Sequence, residues 1–314
     1  MDRRSWTLLL VLAAIWGASY LLIKIAVRDL SPVMVAWARI ALAAGILVPL
    51  AARQGALRVP RASVWWLALL GISQVAGPFV LIGAAEEEIS SGLAGTLVAS
   101  APLFTALLAI RFDAGERSTG LRLGGIVLGL AGVAVLLGVD LGGSGRELIA
   151  GLAVLLAGLG YAIGGFIAKR HFASVAPLGL AAWVVVAGAI LLLPAAIATV
   201  PSEAPSLGPV ASVVALGVVG TGIAFAIFYE LIGTVGPART FIVTYLAPGF
   251  AVVYGAAFLD ERITAAILAG LALILAGSWL AAGGGLGRRS RAGPPVAAPE
   301  PPVTPERVAA QLPD

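Results

Sequence analysis

The sequence predicts an all-α integral membrane protein of ten transmembrane helices, built as two inverted five-helix repeats with both termini in the cytoplasm. Three observations lead to this fold class. The 314 residues are 60% hydrophobic and 11% charged, with a mean hydropathy of +1.03, whereas an average soluble domain is about 25% charged. The apolar residues form ten stretches, each near the roughly 20 residues that span a bilayer. The chain also repeats itself at a spacing of about 145 residues.

Polar turns, glycines and prolines divide the apolar sequence into its ten segments. The segments lie at residues 6–27, 32–52, 64–85, 89–110, 120–139, 148–168, 175–198, 210–232, 237–259 and 264–282. We interpret the first as a retained span, because it is longer than the apolar core of a signal peptide. Residues 283–314 are rich in glycine, then arginine, then proline and alanine, which predicts a disordered cytoplasmic tail.

The repeat is clearest in the fourth and fifth segments of each half. Pro102 corresponds to Pro248 and Glu116 corresponds to Glu261, each pair being about 145 residues apart. In both copies the sequence predicts an apolar helix that is broken near its middle by the proline. A short polar turn containing the glutamate then leads into the next apolar helix. Such a duplication within a very apolar chain is typical of inverted-repeat transporters.

The two repeats predict two structural units, at residues 6–139 and 148–282. Because each unit contains five spans, an odd number, the second unit enters the membrane from the opposite side. With the N-terminus in the cytoplasm, nearly all loop arginines and lysines lie inside, as the positive-inside rule requires. The acidic run at residues 86–88 then lies outside, and both termini are expected in the cytoplasm.

An ordered set of short motifs runs through both halves of the chain. In the first half these are Trp16-Gly17-Ala18, Lys24, Ser31-Pro32, Arg39, Ala101-Pro102, Gly115-Glu116-Arg117, Gly125 and Gly132, and in the second half Pro177, Ala247-Pro248, Glu261-Arg262, Gly270 and Gly277. The set resembles the EamA-type repeat of the drug/metabolite transporter superfamily over residues 6–282. The resemblance implies a secondary transporter of small metabolites, favours export, and implies a central cavity formed mainly by helices 1, 3, 4, 6, 8 and 9.

Aromatic, polar and proline residues near the middle of the segments are the candidates for substrate binding. Pro102 and Pro248 lie near the bilayer centre, and Trp16 and Tyr161 are repeat-equivalent at a comparable depth. The alternative for the aromatic residues is packing between helices, and for Gln74 a hydrogen bond to another helix. We predict one cavity bounded by Trp16, Tyr20, Gln74, Ser100, Pro102, Tyr161, Tyr245 and Pro248.

Ionisable residues in or beside the segments are the candidates for gating or coupling, because charge inside a membrane is costly. They are Lys24, Arg39, Glu116, Lys169, Glu230 and Glu261. The two lysines lie at helix C-termini and Glu116 and Glu261 at helix N-termini, where the helix dipole stabilises each charge without any further role. Arg39 lies deeper, with a structural pairing as the alternative. For Glu230 the alternative is solvation at the membrane interface.

Two pairs of glycines are spaced for close contact between helices. Gly125 and Gly129 form one pair, and Gly160 and Gly164 form the other. At this spacing a helix presents a strip without side chains to its neighbour. We expect both strips to pack inside the protein rather than to mediate dimerisation.

The remaining composition excludes several classes of function. The chain has no cysteine and one histidine, and it contains neither a zinc-protease motif nor a nucleotide-binding loop. We therefore expect no catalytic residue, metal, cofactor or direct use of ATP. The expected partners are a small-molecule substrate and the lipid bilayer, with no nucleic acid. Protons are the coupling ion that we consider. The inner membrane of a bacterium is the expected location, and a receptor or scaffold without transport activity is the alternative function.

Overall fold

The computed structural model describes residues 1–59, 63–112, 120–140 and 144–282, and all regular secondary structure in those ranges is helical. Two sequence predictions lie outside the described residues. One is the disordered tail at residues 283–314, and the other is the placement of Glu116. The remaining candidate residues all lie in the described ranges.

Ten apolar helices follow one another along the described chain. They are α1 (Arg3–Ala26), α2 (Pro32–Arg53), α3 (Val64–Glu88), α4 (Ser91–Val98 and Ala101–Phe112), α5 (Gly120–Gly138), α6 (Gly145–His171), α7 (Pro177–Ala198), α8 (Leu207–Val235), α9 (Val243–Leu259) and α10 (Ala265–Ala281). The first eight are long and apolar enough to cross a membrane. The last two have 17 residues each, or about 25 Å of helix against a hydrocarbon core of about 30 Å.

Small polar residues fix the starts of several helices. Ser31 accepts a hydrogen bond from the Met34 amide at 3.2 Å, and Thr264 accepts one from the Ile267 amide at 3.0 Å. Ser90 caps the start of α4 in the same way, and only Ile89 separates it from Glu88, the last residue of α3. These caps satisfy amides that have no partner inside the helix, so α3 and α4 join with almost no loop between them.

Helix α3 contains a π-helical stretch at Ile72–Ala76. Its cause is Pro78, which has no amide hydrogen and cannot continue the α-helical bonding pattern. The amide of Gly77 bonds instead to the carbonyl of Ile72, five residues earlier. Such π-bulges widen a helix locally and often occur at functional sites. The sequence prediction treated this segment as one regular helix.

Helix α8 contains the corresponding π-helical stretch at Val218–Ile223, about 145 residues further along the chain. Here no proline is present, and glycines make the local backbone permissive. The hydroxyl of Thr221 donates to the carbonyl of Leu216 at 3.0 Å, which gives that carbonyl a partner. The two halves therefore share a widened helix at equivalent positions, although they produce it by different means.

The two mid-segment prolines have different effects, and the expected break at Pro248 is wrong. Helix α4 ends at Val98 and resumes at Ala101, directly before Pro102. Helix α9 continues through Pro248, and its interruption falls earlier, after the helical turn Pro237–Thr240. At this level α9 packs tightly on α1: a Cβ atom on Gly17 would lie 2.8 Å from the Ala247 carbonyl oxygen.

Glycines bring α5 and α10 into backbone contact. A Cβ atom on Gly277 would lie 2.4 Å from the amide nitrogen of Gly129 and 2.6 Å from the carbonyl oxygen of Gly125. On the other strip, Gly164 contacts the side chain of Gln74 and so packs α6 on α3. Both glycine strips pack within the described chain, which confirms the internal-packing prediction.

The helix contacts come in equivalent sets between the halves. Helix α1 packs on α8 and α9, and its counterpart α6 packs on α3 and α4. Helices α2 and α7 pack on each other, as do α5 and α10. We call the end of the bundle that carries Asp29 and Glu261 the outer end, and the end that carries Arg4 and Glu230 the inner end. The names follow the sidedness expected from the loop charges.

Candidate functional site

An arginine of α2 is buried against α3 and α8. Arg39 is only 7% exposed, and its Nε donates to the Thr221 hydroxyl at 2.8 Å. Its guanidinium carbon lies 3.9 Å from the centroid of the Phe79 ring, a cation–π contact. The partner is therefore neither an acid nor a helix-end carbonyl, but a hydroxyl that the π-helical stretch of α8 presents.

The two Nη atoms of Arg39 make no hydrogen bond within the described part of the chain. Among the described residues, the fully buried side-chain nitrogen and oxygen atoms without a partner are those of Glu86. The Nη atoms of Arg39 are therefore not fully buried, although the residue as a whole is only 7% exposed. A guanidinium with free donors in such a place is suited to binding an anion.

Two predicted cavity residues, Tyr20 and Tyr161, lie within electrostatic range of Arg39. Both tyrosines are half-buried and pack on the same apolar cluster, which contains Ile82 and Ala157. The rings belong to α1 and α6, the helices that correspond to each other in the repeat. The structure thus brings three of the sequence-predicted candidates, one cation and two phenols, to one place.

Gln74 forms a hydrogen bond to another helix, which is the alternative to lining an open cavity. Its side-chain Nε2 donates to the carbonyl oxygen of Tyr161 at 3.1 Å. Gly164 makes room for the amide, since a Cβ atom there would lie 2.4 Å from this Nε2. Gln74 therefore fastens the π-helical stretch of α3 to α6, beside Tyr161.

The other predicted cavity residues lie in two further groups. Trp16 packs against Phe225 and Phe228, with ring centroids 6.5 and 5.4 Å apart, in a cluster that also includes residues of α9. Tyr245 is half-buried on α9, and Pro248 is buried one turn further along. Ser100 is buried and Pro102 is half-buried at the break in α4. The hydroxyl of Ser100 donates to the Leu97 carbonyl at 2.7 Å.

Glu261 links the two halves at the outer end. Its Oε1 accepts from the Ser91 amide at 2.7 Å, and its Oε2 accepts from the Ser91 hydroxyl at 2.9 Å and the Gly92 amide at 3.0 Å. The carboxylate thus sits on the N-terminus of α4, where free amides and the helix dipole favour an anion.

Local backbone geometry places this carboxylate. Asp260 ends α9 in the left-handed conformation with φ of 55°, which turns the chain so that the Glu261 amide bonds back to the Gly255 carbonyl at 3.2 Å. Gly255 also leaves the space that the carboxylate needs, because a Cβ atom there would lie 2.2 Å from Glu261 Oε2. We call the contact of Glu261 with Ser91 and Gly92 the outer closure.

We expect Glu261→Gln to open the outer closure. The amide group would face the backbone donors of α4 with a donor of its own, and losing charged hydrogen bonds costs about 1.5–3 kcal/mol each. The chain has no native cysteine, so a Thr96→Cys variant, on a side chain that is buried in α4, can report the opening. Its labelling by a membrane-impermeant thiol reagent should become faster. Asp260→Asn is the control, since asparagine tolerates the left-handed conformation; equal labelling in both variants would contradict the prediction.

Lys24 binds the C-terminus of a neighbouring helix. Its Nζ donates to the carbonyl oxygen of Glu86 and to that of Ile89 at 2.9 Å. A cation at helix-end carbonyls is favourable. Lys24 lies in the last turn of α1, as expected, and its ammonium group also contacts the C-terminal carbonyls of α3. Lys169, its sequence counterpart, is exposed in the last turn of α6 at the inner end.

A further link at the outer end was missed by sequence analysis. Asp29 accepts hydrogen bonds from the Ser206 hydroxyl at 2.5 Å and the Ser206 amide at 2.8 Å. These two bonds hold the pKa of the Asp29 carboxyl below its usual value. They join the loop after α1 to the start of α8. The feature of the sequence that could have indicated this link is Ser206, which directly precedes α8.

The inner end carries a solvated ion pair. Arg4 Nη2 lies 2.6 Å from Glu230 Oε1, and the two side chains are 77% and 41% exposed. Glu230 therefore lies at the interface, as the solvation alternative held, and joins α8 to the start of α1. An exposed ion pair of this kind contributes about 0–1 kcal/mol to stability, so it can form and break at little cost in free energy.

Glu86 lies in a different environment from the one that the sequence predicts. It was expected in an outer loop, but it lies in the last turn of α3 and is 0% exposed. Neither carboxylate oxygen has a hydrogen-bond partner. The reason is the near-absence of a loop before α4, which draws the first glutamate of the run into the bundle. Glu87 and Glu88 remain exposed.

Two clefts open between helix ends at the outer face. One has a volume of about 230 Å³ and is bordered by Glu88 and Arg146, whose side chains are 3.8 Å apart. The other, of about 210 Å³, is bordered by Glu88, Glu147 and Arg262. Neither includes any of the eight predicted cavity residues. Both lie at the rim, where the helices diverge, and we do not assign the substrate site to them.

A bundle of apolar helices, most of them of membrane length, with a buried cation and a polar contact between its halves is typical of a multi-pass membrane transporter. The chain belongs to the EamA-like transporter family, which it matches over residues 4–138 and again over residues 148–283. The family and the names of the relatives are those of transporters rather than of enzymes.

Three curated relatives cover most of the chain. A probable terminal-alkyne amino-acid exporter of Streptantibioticus cattleyicolor is 29% identical over 94% of this chain and 98% of its own length. The uncharacterized inner membrane transporter YedA of Escherichia coli K12 is 30% identical over 82% and 83%. A probable amino-acid metabolite efflux pump of the same organism is 26% identical over 89% and 95%.

A solved structure shares the fold. It is described as "Crystal structure of protein", and it superposes with a TM-score of 0.64 over 90% of this chain and 98% of its own. The two chains are 22% identical, so the likeness shows the fold alone.

Proposed function

We propose that this protein is a secondary transporter that exports a small, carboxylate-bearing metabolite across the cytoplasmic membrane. Arg39 carries the proposal: it is buried, it is fixed by Thr221 and Phe79, and its Nη atoms are free within the described residues. Keeping a charge at this depth without an acidic hydrogen-bond partner is costly, and a charge retained at such a cost is a candidate for a functional role. The names of two relatives, an amino-acid exporter and an amino-acid metabolite efflux pump, support substrates of this kind.

The binding site that we propose centres on Arg39. A substrate carboxylate would accept two parallel hydrogen bonds from the guanidinium, with Tyr20 and Tyr161 bordering the remainder of the molecule. Trp16 and Tyr245 would border the route towards the inner end, and Pro102 and Pro248 would flank the site. The alternative for each of the latter residues remains packing between helices.

Transport would proceed by alternating access of the two repeat units, residues 6–139 and 148–282, with ten spans and both termini in the cytoplasm. Breaking the outer closure at Glu261 would open the site outwards. The ion pair between Arg4 and Glu230 would be one of the contacts that form and break at the inner end. We include Lys169 and Glu116 among the inner-end contacts on the basis of their sequence positions.

Flux into proteoliposomes tests this function. The purified protein should exchange a radiolabelled amino acid or other small carboxylate across the bilayer, and the corresponding amine without a carboxylate should neither be carried nor compete. Protein-free liposomes give the background. A receptor or scaffold would give no flux for any compound of the library. Flux of compounds without a carboxylate would leave the transporter class intact and contradict the role given to Arg39.

A further inference from the structure

We propose that Glu86 is a proton-binding site, and that closing the outer end of this transporter takes up one proton there. The inference rests on the proposed function only where it concerns transport. The binding site itself is defined by the geometry around Glu86. Nothing in the family match or in the relatives' names assigns a role to this residue.

The carboxyl group of Glu86 is sealed inside the bundle. The residue is 0% exposed, and its Oε1 and Oε2 are both buried without a hydrogen-bond partner. An ionised carboxylate accepts several hydrogen bonds wherever it is stable, and one that has lost both water and partners is strongly disfavoured. A bound proton removes the charge, so this burial is compatible with a neutral acid.

The nearest cation does not neutralise the carboxylate through a hydrogen bond. Lys24 Nζ directs its bonds to the backbone carbonyls of Glu86 and Ile89. Arg39 uses its Nε on Thr221. The titratable groups around Glu86 from the packed elements are Tyr20 and Lys24 on α1, Arg39 on α2, Arg146 and Tyr161 on α6, Glu87 and Glu88 on α3, and Glu261 before α10.

The site lies directly behind the outer closure. Glu86 ends α3, and Ser91 and Gly92, which Glu261 holds, begin α4 only a few residues later. Separating Glu261 from α4 would admit water to this junction. Glu86 would then release its proton to water, and Lys24 would be the adjacent cation for the resulting anion. Closing again requires an O–H bond to re-form on Glu86, with the proton taken from the outer solution.

This arrangement makes outer closure depend on external pH. Closing that takes up one proton changes the ratio of open to closed protein by up to about tenfold per pH unit. Low external pH favours the closed outer end and high pH favours the open one. Once the closed protein holds the proton, the polar residues around Arg39 and Tyr20 lie between it and the inner end.

Infrared spectroscopy of the full chain in lipid tests the binding site directly. The closed protein should show the carbonyl band of a protonated carboxyl group at about pH 7, where exposed acids are ionised. Glu86→Gln should abolish that band, whereas Glu87→Gln and Glu88→Gln, on its exposed neighbours, should retain it. The absence of the band from the unmodified chain would overturn the proposal without reference to any variant.

Thiol labelling of the Thr96→Cys variant from outside tests the coupling to closure. Between about pH 6 and about pH 9, the labelling rate should rise more steeply with Glu86 present than in the Glu86→Gln background, which corrects for the ionisation of the thiol itself. Identical slopes in both backgrounds would overturn the coupling. Neither readout uses a substrate. A failed flux experiment would therefore refute the transport function, whereas the proton site would be judged by these two measurements alone.

Discussion

Gly277→Val is expected to prevent stable assembly of α5 with α10. Any Cβ atom at this position would lie 2.4 Å from the amide nitrogen of Gly129 and 2.6 Å from the carbonyl oxygen of Gly125. The obstructing atoms are backbone atoms, so no side-chain rotation relieves the overlap, and the helices have to separate. Overpacking costs about 1–3 kcal/mol where side chains can adjust; here we expect more, because α5 and α10 lose their common face.

The measurement is the thermal unfolding of detergent-solubilised protein, followed by size-exclusion chromatography. Gly124→Val is the matched control, since Gly124 lies on the partner helix α5, is exposed, and a Cβ atom there meets nothing within 4 Å. We expect the control to melt like the unmodified chain and Gly277→Val to yield little folded protein. Equal melting temperatures for the two variants would show that α5 and α10 do not pack as described.

Replacing Arg39 is expected to reduce transport strongly at retained expression. Arg39→Lys keeps the charge but loses the planar pair of donors, so binding of a carboxylate weakens. One charged hydrogen bond is worth about 1.5–3 kcal/mol, which corresponds to a loss of about tenfold to a hundredfold. Arg39→Met should lose more, because both charge and donors disappear.

Proteoliposome flux at matched protein density measures the effect, and Thr221→Val is the control. That change removes the hydroxyl that accepts from Arg39 Nε but leaves the guanidinium and its free donors in place, so a smaller loss is expected. If Arg39→Met and Thr221→Val reduce flux equally, Arg39 acts through the structure of the helix contact, and the carboxylate proposal fails.

Sequence periodicity and spacing predicted the parts of the fold that are set locally. Apolar length defined the helices, and the spacing of Gly125 and Gly129 predicted internal packing. These features depend on neighbours in the sequence. The positions of Tyr20, Tyr161 and Arg39 on three different helices could be proposed one by one, but their proximity depends on how the helices pack.

The features that were missed depend on atoms far apart in the chain. Thr221 becomes the partner of Arg39 only because α8 widens locally, and no proline marks that site. Glu86 reads as an exposed acid in the sequence, yet the tight junction between α3 and α4 buries it. Pro248 was expected to break α9, but the helix is continuous there and packs tightly on α1. Neither short-range propensity nor hydropathy reports such contacts.

The residue at the inner end that corresponds to Ser91 cannot provide the donors that the outer closure uses. The position that corresponds to Ser91 in the second half is Pro237, which has neither an amide hydrogen nor a hydroxyl group. A carboxylate approaching that end of the bundle would find fewer donors than Glu261 finds on α4. In the proposed cycle the unloaded protein therefore rests with its site sealed from the outside and facing the cytoplasm, where cargo is collected. A transporter biased in this way would favour transport in one direction, because solutes from the medium would seldom meet an open entrance.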